Sequence, residues 1–497
     1  MNVAQLIRRV ARRSPASDAV VTDDGTASFA DLWRAIAAAG QFYLDHGVGA
    51  GDRVLLILPN GEAFLHFHFG ALKIGAVSVP VRADYTWWEV RRIAANCEPR
   101  LVVSTADWLA RNQRPLQLDP RIAVHAIESL RAQMPPGDET IHAGGSSMLA
   151  SINYSYFGHG YPKGAMLTHA NHIYAATGYA RHQGFRSDDR LFVSLPMCHV
   201  YALSGCVNAG LAAGAALVPS TQEMPRGILR SVERHRVTVL SLVPAMFECV
   251  AHYPRRVRFD LSSLRLLVTG GAYMPATQQR AFERALGAEL VQGYGLTECL
   301  PIICNPPGDR NRHGTLGIPG RRDIFIRIVG SAGTPLPRNA VGEIQIRSTT
   351  TMRGYYRLPE DTRAMFDGDW LRTGDVGSLD EDGYLRFHGM TKPIFNVYGN
   401  KVDPMEVRHV LQEHPDVAEA NVATARSRHA DSLAGSARMI ATVRPRPGVS
   451  ITRAALRAFC ADRLAGYKVP HAFVVEEACD DKLPGAACET EEAQERV

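Results

Sequence analysis

Apolar positions along the first three hundred residues follow two periods in turn, one typical of helices and one of strands. Behind Ser28, apolar side chains recur every three or four residues as far as Gly47, which favours a helix with one buried face. Asp31 stands where it can complete a capping box with Ser28. The following segment, 54–58, is a continuous apolar run with the length of a buried strand. Such helices and strands alternate repeatedly, which predicts an α/β fold built from stacked layers.

The pattern changes twice towards the C-terminal end. From about 315 to 388, short alternating strands separated by glycine turns predict a β-rich, barrel-like segment. Farther on, Asp403 offers an N-cap for a helix whose third position is Glu406, and this predicts a compact α+β unit. The predicted units are an N-terminal domain over 1–388, a hinge over 389–393 and a C-terminal domain over 394–497.

Composition excludes several classes of protein. With 55 Lys and Arg against 50 Asp and Glu, the net charge of +5 is ordinary, which argues against a polybasic nucleic-acid-binding protein. The nine cysteines form no CxxC pair, and no zinc-finger spacing is present, so a reduced, cytoplasmic location is expected. The N-terminal segment lacks the apolar core of a signal peptide, and no apolar run reaches the roughly 20 residues that span a bilayer. We expect an unexported protein without a membrane span.

A glycine-rich loop offers the first candidate chemistry. Residues 155–164 hold three glycines and Lys163, between a predicted strand and a helix that begins near Thr168. Backbone N–H groups and an ammonium in such a loop can bind phosphate oxygens, because glycine lets the main chain approach an anion closely. The spacing is not that of a Walker A loop, since Lys163 is followed by Gly164. Taken alone, the loop is more often an ordinary surface turn.

Further motifs change that balance. The run QGYGLTE occupies 292–298, WLRTGD occupies 370–375, and GxKVxPxE follows at 399–406. In this order and spacing they resemble the motifs of the adenylate-forming superfamily, which includes acyl-CoA and aryl-CoA synthetases, adenylation domains and luciferases. The resemblance covers nearly the whole chain. It implies a large N-terminal domain, a small mobile α+β lid that turns about Lys392, and an ATP site between the motifs.

The resemblance also implies roles for individual residues. Thr297 would hydrogen-bond the α-phosphate, Glu298 would hold Mg²⁺, and Asp375 would accept hydrogen bonds from the ribose hydroxyls. A substrate oxyanion would attack the α-phosphorus and expel pyrophosphate, which leaves a mixed anhydride with AMP. The implied catalytic residues are Lys163, Thr297, Glu298 and Lys392; the nucleotide-binding residues are Ser155, Gly158, His159, Gly160, Gly270, Gly271, Ala272, Gly293, Tyr294, Gly295 and Asp375; and the substrate-pocket residues are His199, Tyr201, Val243 and Cys299.

Simpler alternatives remain open for several of these residues. Thr297 can be an ordinary N-cap and Glu298 a solvated first-turn acid. Asp375 can be a turn residue after a glycine. His199 and Tyr201 can be core side chains without a ligand.

Three features depart from the family pattern. Gly158 and His159 replace two hydroxyl residues of the phosphate loop, although an imidazole can still donate to phosphate. Met390 stands where relatives have an arginine directed at the nucleotide. Beyond Leu483 and Pro484 the chain has no lysine, whereas relatives direct one at the substrate carboxylate. A substitute cation, an unusual substrate or loss of activity would each account for that change.

These observations predict an ATP-dependent, AMP-forming ligase that activates an aromatic or medium-sized carboxylate and transfers it to CoA or a carrier-protein thiol. The pattern YxYxGxGYPxG at 154–164 also resembles a bacterial branch that includes ATP-dependent diazotases, which activate nitrite for transfer to an arylamine in secondary metabolism. A nucleotide-binding pseudoenzyme is the non-catalytic alternative. The expected cofactors are ATP and Mg²⁺, and neither nucleic acid nor a membrane is expected as a partner.

Overall fold

The computed structural model describes residues 1–112, 122–130, 136–155, 160–222, 224–391, 395–397, 400–425 and 438–476. The described strands form five sheets, of which the two largest are mostly parallel and have helices between their strands. The α/β class predicted from the alternating pattern is therefore confirmed.

The strands, in chain order, are β1 (Asp18–Thr22), β2 (Gly25–Ser28), β3 (Arg53–Ile57), β4 (Val77–Val81), β5 (Leu101–Ser104), β6 (Ala123–Ala126), β7 (Leu149–Ser155), β8 (Lys163–Thr168), β9 (Arg190–Val193), β10 (Ala216–Pro219), β11 (Val239–Leu242), β12 (Leu266–Thr269), β13 (Glu289–Tyr294), β14 (Ile303–Cys304), β15 (Ile318–Pro319), β16 (Ile324–Val329), β17 (Gly342–Ser348), β18 (Phe366–Asp367), β19 (Trp370–Leu379), β20 (Leu385–Met390), β21 (Phe395–Val397), β22 (Asn400–Val402), β23 (Val417–Ala425), β24 (Arg438–Pro445) and β25 (Ala472–Val475).

The α-helices are α1 (Ala4–Arg13), α2 (Phe29–Asp45), α3 (Glu62–Lys73), α4 (Trp87–Cys97), α5 (Ala106–Arg111), α6 (Ile127–Leu130), α7 (His169–His182), α8 (Ala209–Ala213), α9 (Pro225–His235), α10 (Pro244–Ala251), α11 (Ala276–Leu286), α12 (Pro359–Ala364), α13 (Pro404–Gln412) and α14 (Arg453–Ala461). A π-helical segment, Tyr201–Asn208, leads directly into α8. Within the described residues, none of the helices combines the length and the apolarity needed to cross a membrane.

Two large sheets build the N-terminal part of the chain. The six-stranded sheet has the order β6-β5-β3-β4-β7-β8, in which only the β7–β8 pair is antiparallel. The nine-stranded sheet has the order β15-β14-β13-β12-β11-β9-β10-β1-β2 and is parallel from β13 to β1. Strands such as β3 read as continuous apolar runs because their side chains are buried on both faces.

The β-rich segment forms a separate antiparallel sheet in the order β16-β17-β19-β18, and β20 also pairs with β19. Its core includes Ile344, Leu371 and Leu385, all fully buried. A turn at Gly383, with φ of +85°, joins β19 to β20, as the Asp382-Gly383 pair predicts.

The C-terminal unit combines the β21–β22 hairpin, the three-stranded sheet β23-β24-β25 and helices α13 and α14. It packs on α4 of the N-terminal part, where Trp88 joins its apolar core. Trp88 Nε1 donates to Glu413 Oε2 at 3.1 Å, and Arg92 donates to Glu413 Oε1 at 3.0 Å. The described residues therefore place α4 in the contact between the two parts. The predicted hinge residue Lys392 lies outside the described residues, so rotation about it stays a prediction.

Helix starts follow the capping residues that the sequence predicts. Ser28 and Asp31 form a capping box at α2, and Thr168 forms one with Asn171 at α7. Asp403 caps α13 by accepting from Met405 N at 2.9 Å.

Candidate active site

The glycine-rich loop, the turn at 270–272 and the YGLTE motif lie at the ends of parallel strands. Ser155 ends β7 of the six-stranded sheet, and Arg82 directly follows its neighbour β4. In the nine-stranded sheet, Gly270 follows β12 and Gly295 follows β13. Carboxyl ends of parallel strands meet at one edge, where α/β folds bind ligands. A hydrogen bond from Ser155 to Glu298 connects the two edges.

The Glu298 carboxylate lies buried where these edges meet, and the residue is 2% exposed. Ser155 Oγ donates to its Oε1 at 2.6 Å, and Tyr355 Oη donates to the same oxygen at 2.8 Å. Two hydroxyl donors from separate parts of the chain thus orient one carboxylate. This burial rules out the solvated first-turn acid, and no helix of the described chain begins at Thr297, so an N-cap role for that residue is also wrong.

Asp375 and Tyr294 form a second buried acid and hydroxyl pair. Tyr294 Oη donates to Asp375 Oδ2 at 2.5 Å. Burial raises the pKa of Asp375 above its ordinary value, Lys401 and Tyr294 oppose this rise, and the charge of Glu298 adds to it. Burial and the neighbouring Asp375 raise the pKa of Tyr294, so the phenol stays protonated and donates. The YGLTE and RTGD motifs therefore lie within electrostatic range of each other.

Glycines let the chain segments at this site approach closely. A Cβ added at Gly295 would lie 2.5 Å from Pro301 Cα, and one at Gly293 would lie 3.1 Å from Cys304 Cβ. Gly271 has a φ of +78°, which favours glycine. Packing accounts for Gly295 and Gly293 and the backbone conformation for Gly271, and contact with adenosine stays a prediction for all three.

The lysine of the glycine-rich loop is engaged by a carboxylate in this structure. Lys163 is 1% exposed and donates to Asp361 Oδ1, with its ammonium 5.4 Å from the Tyr355 ring centre. The backbone N of Gly160 donates to Asp403 Oδ2 of the C-terminal unit at 2.9 Å. The described end of the loop, 160–164, therefore makes hydrogen bonds to two carboxylates. The predicted site residues that lie outside the described residues are Gly158, His159 and Lys392.

Two of the predicted pocket residues lie around one turn. Tyr201 Oη donates to Val268 O at 3.2 Å, and a Cβ at Gly270 would lie 3.4 Å from Tyr201 Cζ. Val243 Cγ1 would lie 3.6 Å from a Cβ at Gly271. Tyr201 and Val243 therefore flank the predicted turn at 270–272.

His199 is exposed to solvent, although the protein around its ring partly desolvates it. Desolvation and the charge of Arg82 lower the pKa of His199, so the imidazole is neutral near pH 7. Its Nε2 faces Arg82 Nη1 at 3.4 Å. The neutral ring can therefore accept a hydrogen bond from Arg82. Because His199 is exposed, it is not a core histidine.

The fourth predicted pocket residue, Cys299, belongs to the apolar core beneath the β-rich sheet. Its Sγ lies 3.6 Å from Thr350 Oγ1 and 3.7 Å from Thr351 Oγ1. The residue is 3% exposed, and burial raises the pKa of its thiol. These contacts describe a packed core cysteine, so a place in the pocket stays a prediction.

Sequence reasoning missed Tyr355, Asp361 and Arg82. The first two bind predicted site residues from distant positions and carry no motif of their own. Arg82 did have a signal, because a cation directly after a buried apolar strand lies at the edge where α/β folds bind ligands.

The donor set fits Mg²⁺ bound together with a nucleotide. Among the described residues, no group of three His, Cys, Asp or Glu side chains is arranged to hold a metal ion by itself. Glu298 supplies one oriented carboxylate, and Mg²⁺ is commonly held by one or two carboxylates with phosphate and water oxygens completing its shell.

Comparison with known proteins identifies the family. Residues 7–356 match the family described as AMP-binding enzyme. The chain belongs to the AMP-binding enzyme family. The chain is similar to a feruloyl-CoA synthase of Amycolatopsis sp, at 32% identity over 467 residues that cover 93% of this chain and 92% of the relative. It is similar to 4-coumarate–CoA ligase 3 of Oryza sativa subsp. japonica, at 31% identity over 453 residues, 87% of this chain and 80% of the relative.

A solved structure agrees with this assignment. The amide bond synthetase McbA from Marinactinospora thermotolerans superposes with a TM-score of 0.83 at 27% identity, covering 96% of both chains. The resemblance to the adenylate-forming superfamily is thus confirmed, and this AMP-binding enzyme is an AMP-forming, acid-activating ligase. These relatives do not support the diazotase branch.

Proposed function

We propose that this AMP-binding enzyme adenylates an aromatic carboxylate with ATP and transfers the acyl group to CoA. The observation that carries the adenylation step is the convergence of Ser155, Tyr355 and Glu298, with Asp375 in electrostatic range. Three separated motifs thus supply two oriented carboxylates, Glu298 for a metal–phosphate group and Asp375 for a ribose. The aromatic acid and CoA are supported by two similar synthetases whose names specify feruloyl-CoA and 4-coumarate–CoA.

The residues of the chain act by positioning the reactants. Ser155 and Tyr355 hold Glu298 towards the phosphates, and Tyr294 holds Asp375 towards the ribose hydroxyls. The carboxylate oxygen of the substrate forms a bond to the α-phosphorus while the bond to the bridging oxygen breaks, and pyrophosphate leaves with that electron pair. In the second step the CoA thiol loses its proton, its sulfur attacks the acyl carbon, and AMP leaves. Bound Mg²⁺ supplies charge neutralisation for the phosphates.

Acid-dependent exchange of labelled pyrophosphate into ATP tests the first step. Ferulate, 4-coumarate and benzoate should stimulate exchange, and adding CoA should yield the thioester and AMP in equal amounts. Exchange with nitrite alone, and azo or diazonium product with an aminoarene, would replace the proposal by the diazotase alternative. ATP binding without exchange for any acid would indicate a pseudoenzyme. Transfer to a carrier protein but not to CoA would correct the acceptor.

The variant Glu298→Gln tests the assigned site. It keeps the size of the side chain but removes the charge, so exchange should fall by about 100-fold or more, as when one preorganised transition-state contact is removed. Glu360→Gln is the matched control, because the Glu360 side chain is 89% exposed and lies beside the Lys163 partner Asp361. Equal rates for the two variants would exclude the assignment of Glu298.

A further inference from the structure

Arg82 is a buried cation beside the predicted pocket residue His199, and no motif of the sequence marks it. It directly follows β4 and is 8% exposed, and its Nη1 faces Nε2 of the solvent-accessible His199 at 3.4 Å. Apart from desolvation, the charges of Arg82 and Lys468 lower the pKa of His199, and Asp84 opposes them. Of these charged groups, Arg82 acts most strongly on the His199 ring, which faces it.

Asp84 fixes the orientation of the guanidinium. Arg82 Nε donates to Asp84 Oδ1 at 2.7 Å and Nη2 donates to Oδ2 at 2.5 Å, which is a bidentate contact along one edge. The Asp84 side chain is 47% exposed, so the paired edge lies towards solvent, and Nη1 contacts His199 and Asn400. A guanidinium held in this orientation can bind a second anion at Nη1 without a further loss of side-chain freedom.

The Nη1 donor of Arg82 is engaged by a neutral acceptor from the C-terminal unit. Arg82 Nη1 donates to Asn400 Oδ1 at 2.8 Å, and the guanidinium lies 4.7 Å from the centre of the Tyr467 ring. Hydrogen bonds to a charged oxygen are about twice as strong as those to a neutral one. A substrate carboxylate that reached Nη1 would therefore compete well with the Asn400 amide.

We propose that Arg82 binds the carboxylate of the acid substrate through Nη1, and that Asn400 accepts from this donor when no acid is bound. The inference rests on the proposed function, since it assigns the binding partner of the acid that is adenylated. It makes Arg82 a determinant of acid affinity, while ATP is bound by other residues.

The test compares Arg82→Gln and Arg82→Lys in pyrophosphate exchange, with ferulate and ATP varied separately. Arg82→Gln should raise the KM for ferulate by roughly 10- to 100-fold, the range expected for a hydrogen bond to a charged group, and leave the KM for ATP within about twofold. Arg82→Lys should recover part of the loss because it keeps the charge. An unchanged KM for ferulate in a folded Arg82→Gln protein overturns the proposal. Equal increases for ferulate and ATP also overturn it, because they indicate a structural role.

Two further variants separate substrate binding from contact between the two parts of the chain. Arg92 is a matched control, because it also reaches the C-terminal unit through Glu413 and lies on the Trp88 ring, with its guanidinium carbon 3.9 Å from the ring centre. Arg92→Gln should leave the KM for ferulate unchanged, and an increase equal to that of Arg82→Gln overturns the proposal. Asn400→Ala should lower this KM or leave it unchanged, and a rise as large as that of Arg82→Gln is the contrary result.

Calorimetric titration with ferulate measures the affinity for the acid without turnover. The wild-type protein should bind ferulate at least about 10-fold more tightly than Arg82→Gln does. If no acid supports exchange but this difference is found, the proposed function fails and the binding role of Arg82 stands. If exchange occurs but the affinities are equal, only the inference fails.

Discussion

One ammonium group joins the two parts of the chain, and its removal should destabilise their contact. Lys468 Nζ donates to Glu89 Oε1 at 2.7 Å and to Glu406 Oε1 at 2.8 Å. Glu89 lies on α4 of the N-terminal part and Glu406 lies on α13 of the C-terminal unit. All three residues are at most 1% exposed. The variant Lys468→Met keeps much of the side-chain volume and removes the charge.

The expected loss follows from the burial of both carboxylates. Removing one partner of a buried ion pair typically costs about 3–5 kcal/mol, because the remaining charge is desolvated without compensation. Here two acids lose their shared cation, although Thr86 N still donates to Glu89 Oε2 at 2.9 Å.

Thermal unfolding measures the effect. Lys468→Met should lower Tm by about 5 °C or more. Lys401→Met is the control, because that lysine is exposed in the same unit and its loss should leave Tm nearly unchanged. The same Tm for both variants would refute the reasoning.

Three other predictions follow from the described contacts. Tyr355→Phe removes one of the two donors to Glu298, so kcat for exchange should fall about tenfold and the Mg²⁺ requirement should rise, with Tm nearly unchanged. Gly295→Ala should lower Tm because its Cβ would meet Pro301, whereas Gly466→Ala, at an open position, should not. Burial lowers the pKa of three histidines, His68, His169 and His172, to about 3 or 4. The free energy of unfolding, measured in urea, should therefore decrease as the pH falls from about 6.5 towards 4, by about 2 kcal/mol per histidine at pH 5. His172→Gln should reduce this pH dependence of the free energy of unfolding.

Several features of the fold could be predicted because they depend on neighbours in the sequence. The Ser28 capping box and the Thr168 helix start are formed by residues three positions apart, so local spacing was sufficient. The apolar run at 54–58 predicted β3 to within one residue because a strand buried on both faces needs no polar positions. Glu406 illustrates the limit. Its place in the first turn of α13 was evident, but its contact with Lys468 was not, since 62 residues separate them.

The order of motifs along the chain was enough to predict the α/β class and the family, because glycine turns, capping residues and apolar periods are local properties. The chemistry of the site was decided by folding. Glu298 is oriented by hydroxyls that lie 143 and 57 residues away, and Lys163 is bound by an acid 198 residues away. Arg82 meets Asn400 across 318 residues. Such contacts depend on which sheet edges and which units come together, and packing of the whole chain determines this.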